Sequence, residues 1–413
     1  MSTAPGVDAP GTTSSTGAAI VRGAAALAAE LAAGGWLTPD WADAWDRVDR
    51  EAFLPERVWV PAHDGYHRLD RTTDPARWRT LVHTDTALIT QVEDGIRAPE
   101  FSLRPTSSAS MPRMVASMLA LLDAHEGHRV LEIGTGVGIG AALLATRLGD
   151  DAVASIELDP VVAADARAAL HRAGHHPHLT VGDGTHGSAE CAPYDRLLST
   201  FSVHTIPHAW ITQTRPGGRI VTPWGSALYN GVLLVLDVDA DADSGPRASG
   251  RVVGDAAFMW ERGQGVRGAV MDTVGEQDPG VPGSTTLDPR LVIDDRDAAF
   301  CVGVFVPGVR RSVGRPPGAA PGDDEFTLWL VDADTRSWAC VDHTPGTDVS
   351  VTAAHGPRPI LAEVEAALTW WIDHGRPERT RFGLTATSNG QTPWLDDPSN
   401  PLPAGKSRPD TRP

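Results

Sequence analysis

Residues 129–159 read RVLEIGTGVGIGAALLATRLGDDAVASIELD, with four glycines, Gly134, Gly136, Gly138 and Gly140, gathered into one short turn. An apolar run precedes the turn and a helix-like run follows it. A turn between the end of a buried strand and the start of a helix presents backbone N–H groups to a ligand, and glycine lets that ligand close in because no Cβ intervenes. The spacing suits a nucleotide-like cofactor. The dinucleotide fingerprint GxGxxG fits it poorly. Counted from Gly134, the third glycine position holds Ile139; counted from Gly136, Ala141 takes the last slot, and a nicotinamide reading survives only there.

Outward from this turn the pattern is regular. PRMVASMLALLDAHEG reads as an amphipathic helix and RVLEIG as a buried strand, followed by a helix over AALLATRLG, a strand over AVASIEL and a helix over PVVAADARAALHRAG. LTVGD, YDRLLSTFS and GGRIVTPWG supply three further strands. Strands alternating with helices predict a doubly wound α/β sheet with a parallel core. Upstream, AAIVRGAAALAAELAAGGW is helix-prone with a stop at Gly34-Gly35, and PDWADAWDRVDREAFLP places Trp41, Trp45, Val48 and Ala52 on one helical face. The stretch from there to Pro105 reads as irregular. Downstream, GVLLVLDV is a strand and DVDADADSGPRASG a hydrophilic loop without the Gly and terminal Glu of a calcium loop. Beyond a Pro/Gly-rich linker, FTLWLVDADTRSWACVD carries an internal turn, PRPILAEVEAALTWWIDHG is a helix with Trp370 and Trp371 in its core, and RFGLTATSNGQTPWL is a hairpin turning at Asn389-Gly390. The domain reading is a disordered tail (1–17), a helical and irregular region (18–105), a catalytic core (106–274), a linker (275–289), a small α+β domain (290–398) and a second disordered tail (399–413).

Three acids choose the cofactor. The full pattern of the turn is E-x-G-x-G-x-G, from Glu132 through Gly134 and Gly136 to Gly138. The next strand ends in Glu157, where a carboxylate can accept both ribose hydroxyls, and the third ends in VGDG, where Asp183 can receive an adenine amino group. The turn resembles motif I of class I S-adenosylmethionine-dependent methyltransferases. The resemblance implies a Rossmann-like class I fold and extends the cofactor set to Thr135, Leu158, Gly182 and Gly184.

A longer series of motifs, TSSASMPRMVASMLALLDAHEGHRVLEIGTGVG, SIELD, VGDGTHGSAECAPYDRLLST and QTRPGGRIVTPWG, is similar to the protein-L-isoaspartate O-methyltransferase family, from about Trp41 to Trp260. Thr106, Ser108 and Ala109 match that family's Thr-Ile-Ser-Ala-Pro-His-Met segment, which places Ser108 on its active-site serine. Ser107 replaces the isoleucine, Ser110-Met111-Pro112 replaces Pro-His-Met, and the insert IRAPEFSLRP precedes the segment. These departures lie where a peptide binds. With the added chain from about Gly275 onward, the composite resembles actinobacterial methyltransferases of lanthipeptide and graspetide clusters. Such enzymes methylate one aspartate of a ribosomally made precursor peptide and lead through a succinimide to aspartimide or isoaspartate. The resemblance thus implies S-adenosyl-L-methionine as cofactor, S-adenosyl-L-homocysteine as product and an already cyclised precursor peptide as partner. Isoaspartyl repair and a catalytically silent, peptide-binding scaffold are the alternatives.

The chemistry suits these residues. An aspartate with a reference pKa of about 3.9 is already ionised at neutral pH, so attack on a methyl group needs alignment and no general base. A serine hydroxyl can orient one carboxylate oxygen and leave the other free, the role expected of Ser108 with Ser107 or Ser110 assisting. Alternatively, these serines cap the helix that follows.

Composition bounds the rest. A chain of 413 residues allows two or three domains at roughly 100–200 residues each, and 41% hydrophobic residues suffice for a buried core. A formal charge of −18, with Lys406 the only lysine, argues against binding to phosphate backbones. The widely spaced Cys191, Cys301 and Cys340 suggest a reducing, cytoplasmic setting, and no apolar run is long enough for a membrane. His171, His175, His176 and His178 read as a solvated loop, and no metal is expected. Tyr194-Asp195 opens the fourth strand, near the cofactor or in structural packing.

Overall fold

Alternating apolar strands and helices need a sheet with crossovers to bury both, and the chain builds one around the glycine turn. The computed structural model describes residues 14–241, 245–265, 270–274, 280–315 and 325–403, and the chain divides into two compact units, Met1–Leu198 and Ser199–Pro413. The tail assigned to 1–17 lies outside the described residues up to residue 13, as do 404–413 of the second tail and 275–279 of the linker.

In the first unit the strands Val130–Ile133, Val153–Glu157 and His178–Val181 run parallel in that order, with Tyr194–Ser199 on the other side of the first. The strand order therefore reverses beside Val130–Ile133, and the glycine turn leaves the sheet at that switch point, where open α/β sheets bind ligands. The crossover helices Ile139–Leu148 and Pro160–Arg172 have clear local causes. Gly149, at φ 90°, stops the first; Asp159, accepting from the N–H of Val161 and Val162, and Pro160 at the first position start the second. Leu131, Ile133, Leu144, Val153 and Leu197 form the buried centre. Tyr194 and Asp195 prove to be packing residues: the Tyr194 hydroxyl donates to the Ser188 carbonyl at 2.7 Å, and Asp195 accepts from the Arg129 N–H at 2.6 Å.

The stretch read as irregular is instead a five-stranded antiparallel sheet, in the order Phe101–Ser102, Gly65–Asp70, Arg57–Ala62, Leu88–Val92, Pro105–Ala109, with a helix at Pro75–Val82. Its strands are short and carry Arg57, Pro61, Arg68, Asp70 and Pro105 at exposed or half-buried positions, which conceals the alternation. The tryptophan helix also differs. It ends at Arg47 and a new turn begins at Arg50, capped by Asp49, so the phase is lost: Trp41 and Phe53 are buried while Ala52 is exposed.

In the second unit Thr214–Gly225, Asn230–Asp241 and Gly245–Asp255 form an antiparallel meander. The acidic run is thus part of a hairpin and not a loop. Asp237 and Asp239 alternate with the buried Val238 and pair with Arg219 (2.9 Å) and Arg247 (3.9 Å); residues 242–244 lie outside the described chain. The last hairpin, Phe382–Thr387 and Gly390–Leu395, joins the open edge of Gly245–Asp255, and its closing pair is Thr387 with Gly390, one residue earlier than the expected turn. A second five-stranded sheet runs Val281–Thr285, Ser350–His355, Ser337–His343, Phe326–Asp332, Arg310–Gly314, so residues 281–285 of the linker stretch form an edge strand. Helices Arg296–Phe305 and Ile360–Asp373 meet at Phe305 and Trp370, with ring centroids 4.8 Å apart, while Trp371 is buried. Among the described residues no helix is long and apolar enough to cross a membrane.

Trp78, fully buried in the first unit with the Arg71 guanidinium 4.7 Å above its ring, tests whether the antiparallel sheet region is integral to that unit. Trp78→Ala is expected to destabilise the protein by about 3–5 kcal/mol in urea denaturation.

Candidate active site

The parallel strands deliver their chemistry at their C-terminal ends. Gly134, Gly136 and Gly138 take φ values of 93°, 54° and 93°, a left-handed path that other L residues adopt only under strain. The N–H groups of Gly134 and Thr135 both donate to the Ile156 carbonyl (2.9 and 3.3 Å), which ties the turn to the neighbouring strand. A Cβ on Gly136 would lie 3.4 Å from the Ser108 carbonyl oxygen, so the serine strand passes directly over the turn.

Glu132 lies beneath the turn and not at its surface, only 1% exposed. Its Oε2 accepts from the Ser155 hydroxyl at 2.7 Å, and Ser155 in turn lies 2.7 Å from the Thr135 hydroxyl. Either hydroxyl can donate in that second contact, so the three groups form one chain of hydrogen bonds. Burial pushes the Glu132 carboxyl up to about 8, so it is protonated at neutral pH. The fourth glycine makes room for it: a Cβ on Gly140 would fall 2.0 Å from Glu132 Oε1.

Glu157 faces the open side. Its Oε2 accepts from the Gly136 N–H at 2.9 Å and its Oε1 from the Asp159 N–H at 3.1 Å. Asp183 is exposed, its Oδ1 accepting from the Thr185 N–H and hydroxyl at 2.8 and 2.7 Å, and Gly182 donates its N–H to the Glu157 carbonyl at 2.9 Å. An ionised carboxylate has about four acceptor positions, so both acids keep capacity for ribose hydroxyls and an adenine amino group. Leu158 (42% exposed) and Val181 (49%) present apolar surface beside them, the kind of surface a flat base covers. Gly184 starts the short turn after Asp183. These residues fit an adenosine cofactor.

The serines are not where a helix cap would put them. Ser107 and Ser108 belong to the strand Pro105–Ala109, Ser110 follows it, and the next helix, Pro112–Leu122, has Met111 at its N-cap with no side-chain hydrogen bond. The Ser110 carbonyl accepts from both terminal nitrogens of Arg50 at 3.3 Å, and Thr90 donates to the Ser107 hydroxyl at 3.4 Å. Ser107, Ser108 and Ser110 are half-buried. Arg50, Gln91 and Asp159 belong to this neighbourhood and escaped the sequence reading. Only Asp159 carried a signal, as an acid directly before Pro160. The histidines stay apart from the site: His175 contacts Thr146 (3.1 Å) and Asp150 (3.3 Å), and among the described residues no cluster of His, Cys, Asp and Glu could hold a metal ion.

Comparison with known proteins agrees with this geometry. Residues 75–251 match the family model described as protein-L-isoaspartate(D-aspartate) O-methyltransferase. The chain is 44% identical over 201 residues to a protein-L-isoaspartate O-methyltransferase of Methanothrix thermoacetophila, covering 48% of this chain and 79% of that protein. It is 38% identical over 187 residues to protein-L-isoaspartate O-methyltransferase 1 of Archaeoglobus fulgidus, covering 44% and 77%. A solved protein-L-isoaspartate O-methyltransferase structure aligns over 91% of this chain and 100% of its own at 19% identity, with a TM-score of 0.50, a likeness of fold.

Two outcomes test the support under the turn. Gly140→Ala is expected to destabilise the protein by about 1–3 kcal/mol through overpacking against Glu132 and to weaken S-adenosylhomocysteine binding, read by urea denaturation and calorimetry. Because the folded Glu132 holds its proton up to pH about 8, against an ordinary value near 4.5, the folded state binds more protons than the unfolded one between these values. Its contribution to stability is therefore present at pH 4.5 and declines as pH rises towards 8. Glu132→Gln is expected to flatten that decline in denaturation midpoints measured across this range.

Proposed function

The chain belongs to the protein-L-isoaspartate O-methyltransferase family, and on that footing we propose that it methylates the side-chain carboxylate of one aspartate in a ribosomally made precursor peptide. The observation that carries the proposal is the passage of the Ser108 strand over the glycine turn, with the Ser108 carbonyl 3.4 Å from where a Gly136 side chain would begin. An acceptor held by Ser108 is thereby brought to the cofactor end of the sheet.

The cofactor is S-adenosyl-L-methionine, which when bound supplies an electrophilic methyl group on a sulfonium. Glu157 and Asp183 would hold its ribose and adenine, and the turn from Gly134 to Gly138 would take its amino-acid portion. The Ser108 hydroxyl donates to one oxygen of the incoming aspartate and leaves the other oxygen to attack, which turns an encounter into an aligned one. Arg50 pins the Ser110 carbonyl and so holds the C-terminal end of the serine strand. Ester formation then makes the carboxyl carbon reactive. The N–H of the following peptide residue attacks it, methanol leaves and a succinimide closes; water opens the ring to aspartate or isoaspartate. The ring-closing step needs a pliant peptide and no further enzyme group.

The choice of a precursor peptide is supported by this chain's own departures: Ser110-Met111-Pro112 after the matched serine, the insert 96–105, and the second unit extending beyond the matched region. The insert forms the edge strand Phe101–Ser102 and exposes Ile96 and Leu103. Repair of isoaspartyl residues is the second reading, favoured by 44% identity to a protein named for that substrate.

Incubation with S-adenosylmethionine and two peptides separates the readings. Methyl gain followed by methanol loss on the precursor peptide encoded beside the gene, read by mass spectrometry, is the expected result. Turnover of a generic isoaspartyl peptide alone would assign repair. Ser108→Ala is expected to lower kcat about 10- to 100-fold, the worth of one hydrogen bond to a charged group, with S-adenosylhomocysteine affinity unchanged in calorimetry.

A further inference from the structure

The pairing of Leu88–Val92 with Pro105–Ala109 is irregular beside the serines. Leu88 opposes Ala109 and Ile89 opposes Ser108, but Gln91 then opposes Ser107 and Val92 opposes Pro105. Thr90 is the extra residue on one strand and Thr106 on the other. The two bulges cancel in register, so the distortion is confined to the residues flanking Ser107. Bulges near active sites re-aim side chains and add local twist. Here they accompany a bridge between two different sheets. The Gln91 Oε1 accepts from the Thr106 hydroxyl at 2.8 Å, and its Nε2 donates to Asp159 Oδ2 at 2.8 Å.

Both ends of that bridge lead into the candidate site. Thr106 lies two residues before Ser108, and its oxygen also accepts from the Asp94 N–H at 3.2 Å. Asp159 is itself held on every side: its Oδ1 accepts from the N–H of Val161 and Val162 at 2.8 and 3.2 Å, and its own N–H donates to Glu157 Oε1 at 3.1 Å. Each amide atom of Gln91 thus has one partner, and the partners belong to the strand carrying the acceptor serine and to the turn carrying the ribose acid. The chain then leaves Gln91 through Glu93, Asp94 and Gly95, all left-handed at φ 51°, 53° and 73°, a path that few sequences take without cause.

We propose that Gln91 is a positioning residue that locks the Ser108 strand to the Glu157–Asp159 turn, and so sets the separation between the acceptor carboxylate and the methyl donor. The assignment rests on the methyltransferase reading above. Both amide atoms of Gln91 are engaged by protein groups. Its effect belongs to alignment, where a misplacement of about 1 Å lowers a rate roughly 100-fold.

The test uses the full-length protein and four variants: Gln91→Leu, Gln91→Glu, Asp159→Asn, and the last two combined. Gln91→Leu is expected to lower kcat about 10- to 100-fold, with peptide KM and the S-adenosylhomocysteine dissociation constant changed less than about threefold. Gln91→Glu alone sets two carboxylates face to face and is expected to be at least as impaired. Joined with Asp159→Asn the bridge is rebuilt with reversed polarity: the new amide donates to the new carboxylate while its oxygen still caps the helix. Most of the lost kcat should return. Hydrogen exchange in the S-adenosylhomocysteine complex adds a readout independent of turnover, and faster exchange over residues 105–110 is expected in Gln91→Leu.

A kcat within twofold of the parent in Gln91→Leu would overturn the proposal, as would a combined variant no better than the worse single one. Equal loss of cofactor affinity and kcat would make Gln91 a cofactor ligand instead. If the parent methylates neither peptide, the function proposed above fails, and hydrogen exchange alone decides the positioning role, unchanged exchange in Gln91→Leu being the negative result.

Discussion

A neutral carboxyl group packed against a bare backbone supports the cofactor end of the sheet. Glu132 is buried between its strand and the helix that follows, and the space it occupies exists because position 140 has no Cβ. An ionised carboxylate there would meet a large desolvation penalty, so the group keeps its proton instead. Through Ser155 it reaches the Thr135 hydroxyl inside the turn. The turn's conformation is thereby settled by hydrogen bonds: beside this support from below, the N–H groups of Gly134 and Thr135 go to the Ile156 carbonyl, that of Gly136 to Glu157 and that of Gly138 to the Thr135 carbonyl. Motif glycines are commonly assigned to ligand approach. In this chain three shape the turn, and the fourth accommodates the acid underneath.

The same turn is bounded from above by a strand from a second sheet. Proximity of Ser108 and Gly136 depends on the five-stranded antiparallel sheet, on Arg50 gripping the Ser110 carbonyl, and on the paired bulges at Thr90 and Thr106. The serine strand and the glycine turn therefore belong to separate sheets, joined at few points. On the function proposed above, such a division lets peptide specificity change, through an insert such as residues 96–105, without disturbing Glu157 and Asp183.

The parallel core was legible in the sequence. Its strands and helices alternate at regular intervals, Pro112 and Asp159-Pro160 open two of the helices and Gly149 ends the third, and acids stand at or just after the ends of two successive strands. The antiparallel sheet was not legible, because its strands are short and polar residues and prolines interrupt the alternation. The acidic run at 237–241 misled for a related reason: alternating Asp and apolar residues describe a half-exposed strand as well as a solvated loop, and the pairing partner decides between them.

What the sequence by itself determined about this protein is the glycine turn, the acids at the ends of the neighbouring strands and the family the chain belongs to, since these depend on local backbone geometry and on residues close in the chain. Only the tertiary structure decided that Glu132 is a buried support, that the serines lie on a strand, and that Gln91 links that strand to Asp159 across 68 positions. Burial, register and long-range hydrogen bonds are properties of which elements meet, and spacing along one chain does not encode them.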